Sequence, residues 1–147
     1  MSNATGPEAH LADEVLQLLV EMSGRLGQYF AARAAEFGLS AAEAKVLLAL
    51  EPGEAVSMRA IARKLDYDAS NLTRVVDKLE GRDAVERCPN PSDRRVKGII
   101  ATQHGVDLSE RLSSRLHADA GPVRTLTDSQ LRDLRTLLRH AMELDPK

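Results

Sequence analysis

The sequence has little that is reactive or aromatic: one cysteine, no tryptophan, two tyrosines and two phenylalanines in 147 residues. A single thiol, Cys88, excludes an internal disulfide and any site built from two cysteines of one chain. With so few rings, the core must be aliphatic. Long apolar runs are also missing. Stretches such as Val46–Leu50 fall far short of the roughly 20 residues a bilayer crossing needs, and the first ten residues carry no basic-then-apolar leader. A cytoplasmic chain with no membrane partner is expected. The four histidines, His10, His104, His117 and His140, share no helical spacing, so no metal site is expected. No nucleophile, base and oxyanion grouping and no phosphate-cradling glycine loop occurs, so the reading is not an enzyme and has no cofactor. Nor is there a strong excess of one charge. The formal net charge of -2 argues against a protein that coats nucleic acid indiscriminately.

What is present is the balance of one ordinary folded domain, 43% hydrophobic and 29% charged. The charge is unevenly placed. From Arg59 to Ile100 ten basic residues face seven acidic ones, leaving the rest of the chain with ten bases against fifteen acids. A basic middle between acidic arms suits a DNA-contacting module.

Apolar residues at Leu11, Val15, Leu18, Met22, Leu26, Tyr29 or Phe30, and Phe37 predict a first helix over 11–37. At ~1.5 Å per residue it is roughly 40 Å long, more than so small a domain can cover, and part of it should meet a partner chain. Gly38 breaks it, and Ser40 with Glu43 forms a capping box for a second helix from Ala41 to about Glu51, before Pro52. After an extended stretch at Ala55 and Val56, Ser57 caps a third helix, Met58 to Leu65. Asp66 and Tyr67 turn the chain, and Asp68 caps a fourth helix, Ala69 to about Gly81, by accepting the amides of Ser70 and Asn71. Two short helices joined by a tight turn make a helix-turn-helix. Strand-like runs at Ala84–Cys88 and Val96–Thr102, around a Pro89–Arg95 loop, predict a hairpin. A fifth helix opens near Gln103 and runs toward Gly121 and Pro122. A sixth opens on a Thr127–Gln130 capping box and carries Leu131, Leu134, Leu138 and Met142.

In the fourth helix Leu72, Val75, Val76 and Leu79 fall on one side. Ser70, Arg74 and Asp77 then centre the other, with Asn71, Thr73 and Lys78 at its edges. Hydroxyl, amide and guanidinium groups in the first turns of a helix are what read base edges in a major groove. A polar outer face is common to every amphipathic helix, so the hairpin matters as well. Asp93, Arg94 and Arg95 crowd its tip, where a projecting arginine can enter a minor groove while a carboxylate holds its guanidinium. Asp77 would be repelled by phosphate unless it orients Arg74 or an arginine of the wing.

The runs Ile61-Ala62-Arg63-Lys64-Leu65, Asp68 to Glu80, Val85-Glu86-Arg87 and Asp93-Arg94-Arg95 resemble the winged-helix core of MarR-type transcriptional regulators, and the likeness extends over about Leu11 to Leu144. It implies a mainly helical chain with a small β-hairpin wing. Residues 1–147 would be a single domain, with 40–102 the winged helix-turn-helix and 11–37 and 103–144 the dimerisation helices. It implies a homodimer on a roughly palindromic double-stranded DNA operator, acting as a repressor. Ser70, Asn71, Thr73 and Arg74 would read the major groove, Lys78 the backbone, and Asp93, Arg94 and Arg95 would serve the wing. Two departures stand out: Asp66 occupies a turn position where many relatives have Gly, and Gln103-His104-Gly105 replaces the usual Thr-Glu-x-Gly.

The resemblance also implies release of DNA by a small aromatic or phenolic effector, for which Tyr29, Phe30, Arg33 and Phe37 are candidate cleft residues, although aromatics at this spacing also suit plain core. Cys88 raises thiol-based redox sensing as an alternative. A dimeric helical adaptor that binds protein instead of DNA is another, favoured by the net acidity and by Asp66, Asp68 and Asp77.

Overall fold

The computed structural model describes residues 7–90 and 93–143, with side chains over 10–90 and 97–143. Pro91 and Ser92, at the expected hairpin tip, lie outside the described residues. The chain divides into two compact units, Gly27–Ala118 and the two terminal segments taken together.

The first helix, α1, spans Pro7–Ala35, starting before Leu11 and ending two residues short of the expected Phe37. The stop is a Schellman motif. Gly38 takes φ +69°, its amide donates to the Ala35 carbonyl at 2.9 Å, and the Leu39 amide donates to Ala34 at 3.1 Å. Ser40 and Glu43 form the reciprocal capping box of α2, Ala41–Leu48, at 3.2 and 2.7 Å. This helix is three residues shorter than expected. Ahead of Pro52 its ladder tightens, with the Ala49 amide shared between Lys45 and Val46 and the Leu50 amide turned to Leu47.

Val56–Ser57 is a short strand, β1. Ser57 then caps α3, Met58–Leu65, by accepting the Ala60 amide at 3.1 Å, and Asp68 caps α4, Ala69–Glu80. The wing strands are β2, Val85–Asn90, and β3, Asp93–Ala101. They are longer than expected, so the stretch read as a Pro89–Arg95 loop is in part strand: Pro89 pairs with Lys97 and Asn90 with Asp93, and Asp93, Arg94 and Arg95 belong to β3. The sheet is antiparallel in the order β1-β3-β2, with Val56 opposite Ile99 and Arg87 opposite Ile99 from the other side. Pro89 is tolerated because β2 is an edge strand, and the pairing shifts right after it.

Leu47, Ile61, Leu72, Val76, Leu79, Val85, Ile99 and Leu112 form a buried aliphatic core, joining α2, α3, α4, the sheet and α5, Gln103–His117. Thr102 opens α5 by accepting the Gly105 amide at 3.0 Å, and its own amide donates to Ala84 at 3.1 Å. The helix stops at His117, ahead of Gly121 and Pro122, which lie in a separate 3-10 turn, Gly121–Val123.

In the other unit, Thr127 and Gln130 form the expected box at 2.9 and 3.3 Å, opening α6, Asp128–Glu143. Among its described residues, α6 buries none. Leu11, Leu16, Leu18 and Val20 of α1 are 59–72% exposed, and Leu137 and Met142 of α6 are 67% and 77% exposed. Large apolar side chains left this open in number mark a candidate interaction surface.

Candidate nucleic-acid interface

The packed side of α4 is the expected one, with Leu72, Val75, Val76 and Leu79 all buried. Ser70, Thr73, Arg74, Asp77 and Lys78 are exposed and Asn71 is half-buried. The cap differs in detail from expectation. Asp68 accepts the Asn71 amide at 2.7 Å, and its other partner is the Ser70 hydroxyl, also at 2.7 Å. These bonds hold the Asp68 carboxyl below its ordinary range, the Asn71 amide first and the Ser70 hydroxyl second. Thr73 donates its hydroxyl to the Ala69 carbonyl at 2.8 Å. Both hydroxyls on the outer face have therefore used their protons within the helix. Their oxygens remain as acceptors, complementary to the amino groups of cytosine or adenine.

Asp77 turns to the wing. It accepts from Arg87 of β2, and the same guanidinium reaches Glu80 one turn further along α4. The carboxylate that looked unfavourable beside phosphate is thus neutralised, and Arg74 keeps no ion pair among the described residues. The sequence reading allowed an arginine of the wing as the partner of Asp77; that it is Arg87, and that Glu80 shares it, was not anticipated. The available signal was a pair of carboxylates at i and i+3 on α4 followed by an arginine in the first wing strand. Of the wing residues Asp93, Arg94 and Arg95, the backbone lies in β3 and the side chains fall outside the described residues.

Of the effector candidates, Phe37 lines an open recess. Phe30 and Phe37 are half-buried and pack against the aliphatic core. Tyr29 donates its hydroxyl to the Leu116 carbonyl at 2.8 Å and lies under the Arg33 guanidinium, 5.1 Å from ring centre. Arg111 stacks over Phe37 at 5.4 Å, beside an open recess of about 580 Å³ that Arg115 also lines. Glu36 joins Arg33 to Arg115, whose Nε donates at 2.8 Å, and these two arginines, Arg115 foremost, hold the Glu36 carboxyl low. Arg111, Arg115 and Glu36 were not anticipated. Cys88 is half-buried on β2 opposite Gly98. No helix among the described residues is long and apolar enough to cross a membrane.

A family model described as MarR family matches residues 37–96. CouR from Rhodococcus jostii RHA1, solved bound to p-coumaroyl-CoA, is 30% identical and superposes with a TM-score of 0.76 over 93% of this chain and 97% of that one. The chain belongs to the MarR family. A mutant of Escherichia coli MarR, solved in complex with operator DNA, shares the fold, with a TM-score of 0.74 at 23% identity over 87% of this chain and 93% of that one. PapX, an HTH-type transcriptional regulator of Escherichia coli, is 33% identical over 46% of this chain. The match spans only 41% of PapX, and 61% of the related PrsX.

Both departures from the MarR-type pattern have local explanations. Asp66 itself adopts the left-handed conformation, φ 53° and ψ 46°, as the cap of α3, and the Tyr67 amide closes the turn on Ala62 at 2.9 Å. That conformation is why glycine suits the position, and aspartate is among the side chains that tolerate it. Gly105 keeps the one glycine of the MarR-type helix opening that the packing requires, since a Cβ there would meet the Ala84 carbonyl.

Proposed function

We propose that this protein is a sequence-specific transcriptional repressor, binding a roughly palindromic operator as a homodimer and released by a small aromatic or phenolic effector. The observation that carries the reading is the outer face of α4, where Ser70, Thr73 and Arg74 are exposed, with half-buried Asn71 at its edge, on a helix braced by a wing. Asn71 can pair with adenine, Arg74 with guanine, and Lys78 lies where it would meet phosphate. Asp93, Arg94 and Arg95 would take the adjacent minor groove. The exposed leucines of α1 and α6 support the twofold pairing, which would set two copies of α4 about 34 Å apart to match successive major grooves. The flat ring and cation stacks, Tyr29 with Arg33 and Phe37 with Arg111, suit an aromatic anion, the chemistry that CouR binds as p-coumaroyl-CoA. Residues 11–37 and 103–144 would dimerise and 40–102 would bind DNA.

The test is fluorescence anisotropy on the DNA upstream of the gene, at two salt concentrations, with sedimentation analysis of the same sample. Operator preference, a steep fall with salt and a dimer are expected. Equal, weak binding to operator and scrambled duplexes would refute sequence-specific repression. Adding p-coumaroyl-CoA to the complex tests whether release follows that ligand class.

A further inference from the structure

We propose that the groove between α3, α4 and the wing seats one sugar-phosphate strand of the DNA, with Arg59 and Lys97 as its phosphate-holding residues. The proposal rests on the DNA-binding reading above. A winged helix that places α4 in a major groove and its wing in the neighbouring minor groove straddles the strand that separates the two grooves. Whatever lies between helix and wing therefore faces phosphate and deoxyribose, not base edges.

In this chain that space is a groove of about 430 Å³, with Met58, Ala62 and Leu72 along its floor and Thr73 at its rim. Among the described residues, three cations line it: Arg59 from α3, Arg87 from β2 and Lys97 from β3. The pleat explains their convergence. Ile99 is buried against the helices, Lys97 lies two residues away on the same face of β3, and Arg87 is paired directly opposite Ile99. Arg87 is committed to Asp77 and Glu80. Arg59 and Lys97 are exposed and form no ion pair among the described residues, so they supply the unneutralised positive charge. The apolar floor suits the faces of deoxyribose, which offer no hydrogen-bond donors there. Contacts of this kind fix register on the duplex without reading sequence, a role outside the set of base-reading residues on α4.

Anisotropy titrations of the full-length protein against a random-sequence duplex and against its preferred operator, from 50 to 300 mM salt, test the seat. In the homodimer the Arg59→Gln, Lys97→Gln double variant removes four phosphate contacts, two per protomer, and should flatten the slope of log affinity against log salt by roughly 3.6 on both duplexes, about 0.9 per contact. The ratio of operator to random binding should stay unchanged, as should the thermal midpoint, because both side chains are exposed. Lys97→Arg should restore half of the slope when introduced into the double variant. An unaltered slope, or a loss confined to the operator, overturns the phosphate seat while leaving the DNA-binding reading in place. Failure of the unsubstituted protein to prefer any duplex overturns both.

Discussion

Replacing Gly105 by alanine pits two effects of opposite sign against each other. Alanine is the better helix former, by at most ~1 kcal/mol in a helix interior and less in the first turn, where Gly105 lies. Against that, an ideal Cβ at Gly105 would sit 1.9 Å from the Ala84 carbonyl oxygen and 2.8 Å from its carbon, where real Cβ atoms stay beyond 3.0 Å. Both neighbours are backbone, so no side chain can swing aside. The start of α5 must withdraw from the turn before β2 by about 1 Å, in an interior packed to crystal-like density. Overpacking of this kind costs ~1 to 3 kcal/mol. The shift also strains the Thr102 amide bond to Ala84 and the Gly105 amide bond to Thr102, each worth ~0.5 to 1.5 kcal/mol. The net expectation is a loss of about 2 to 4 kcal/mol, a large share of the ~5 to 15 kcal/mol that holds a domain folded. Urea unfolding followed by far-ultraviolet circular dichroism measures it, as a lower midpoint at unchanged slope. A Gly105→Ala protein as stable as the parent, or more so, would refute the crowding and leave helix propensity in command.

Arg74→Ala should cost ~1 to 3 kcal/mol on the preferred operator and flatten discrimination at one base position per half-site, read by titrating a panel of singly substituted duplexes; intact discrimination would remove Arg74 from the reading set. Arg87→Ala should lower stability by no more than about 1 kcal/mol, since its ion pairs are solvent-exposed. It should nonetheless reduce any preference for A·T flanks several-fold by freeing the wing from α4, and unchanged flank preference would show that the clamp is irrelevant to binding. Burial alone would raise the Glu43 carboxyl, but the Ser40 amide and hydroxyl, aided by Arg82 and Lys78, hold it below its ordinary value. The carboxylate's contribution is therefore complete above the unfolded value near ~4.3 and is lost as pH falls through the lower folded value. Glu43→Gln should cost about 1 kcal/mol at pH 7. The gap in urea midpoint should close between pH 5 and 3, and a gap independent of pH would contradict the linkage.

Local chemistry was the most legible part of this chain. The boxes at Ser40 and Thr127 and the caps at Ser57 and Asp68 depend on residues three apart, so adjacency in sequence carries the whole signal. The packed side of α4 was equally plain, because Leu72, Val75, Val76 and Leu79 repeat with the helical period. Pairing between distant segments was not. The short strand at Val56 exists only because β3 lies beside it, and β2 runs on through Pro89 and Asn90 because they pair with Lys97 and Asp93 of β3, which outweighs their loop-like composition. At the candidate interface, the outward direction of Arg74 followed from periodicity. That a wing arginine could meet Asp77 was legible, but its identity as Arg87 and the sharing with Glu80 needed the geometry of a strand crossing a helix. The effector candidates illustrate the reverse, since helical spacing placed Phe30 and Phe37 on α1 and its end without telling core from cleft.

The position of Pro89 bears on how this protein survives crowding. A three-stranded sheet with an open flank is a template on which another chain's backbone can extend the ladder, the first step toward fibrous aggregates. A ring nitrogen without hydrogen in the outermost strand, followed at once by a slip in pairing, interrupts that template. An outer strand blocked in this way is compatible with staying dispersed at high concentration.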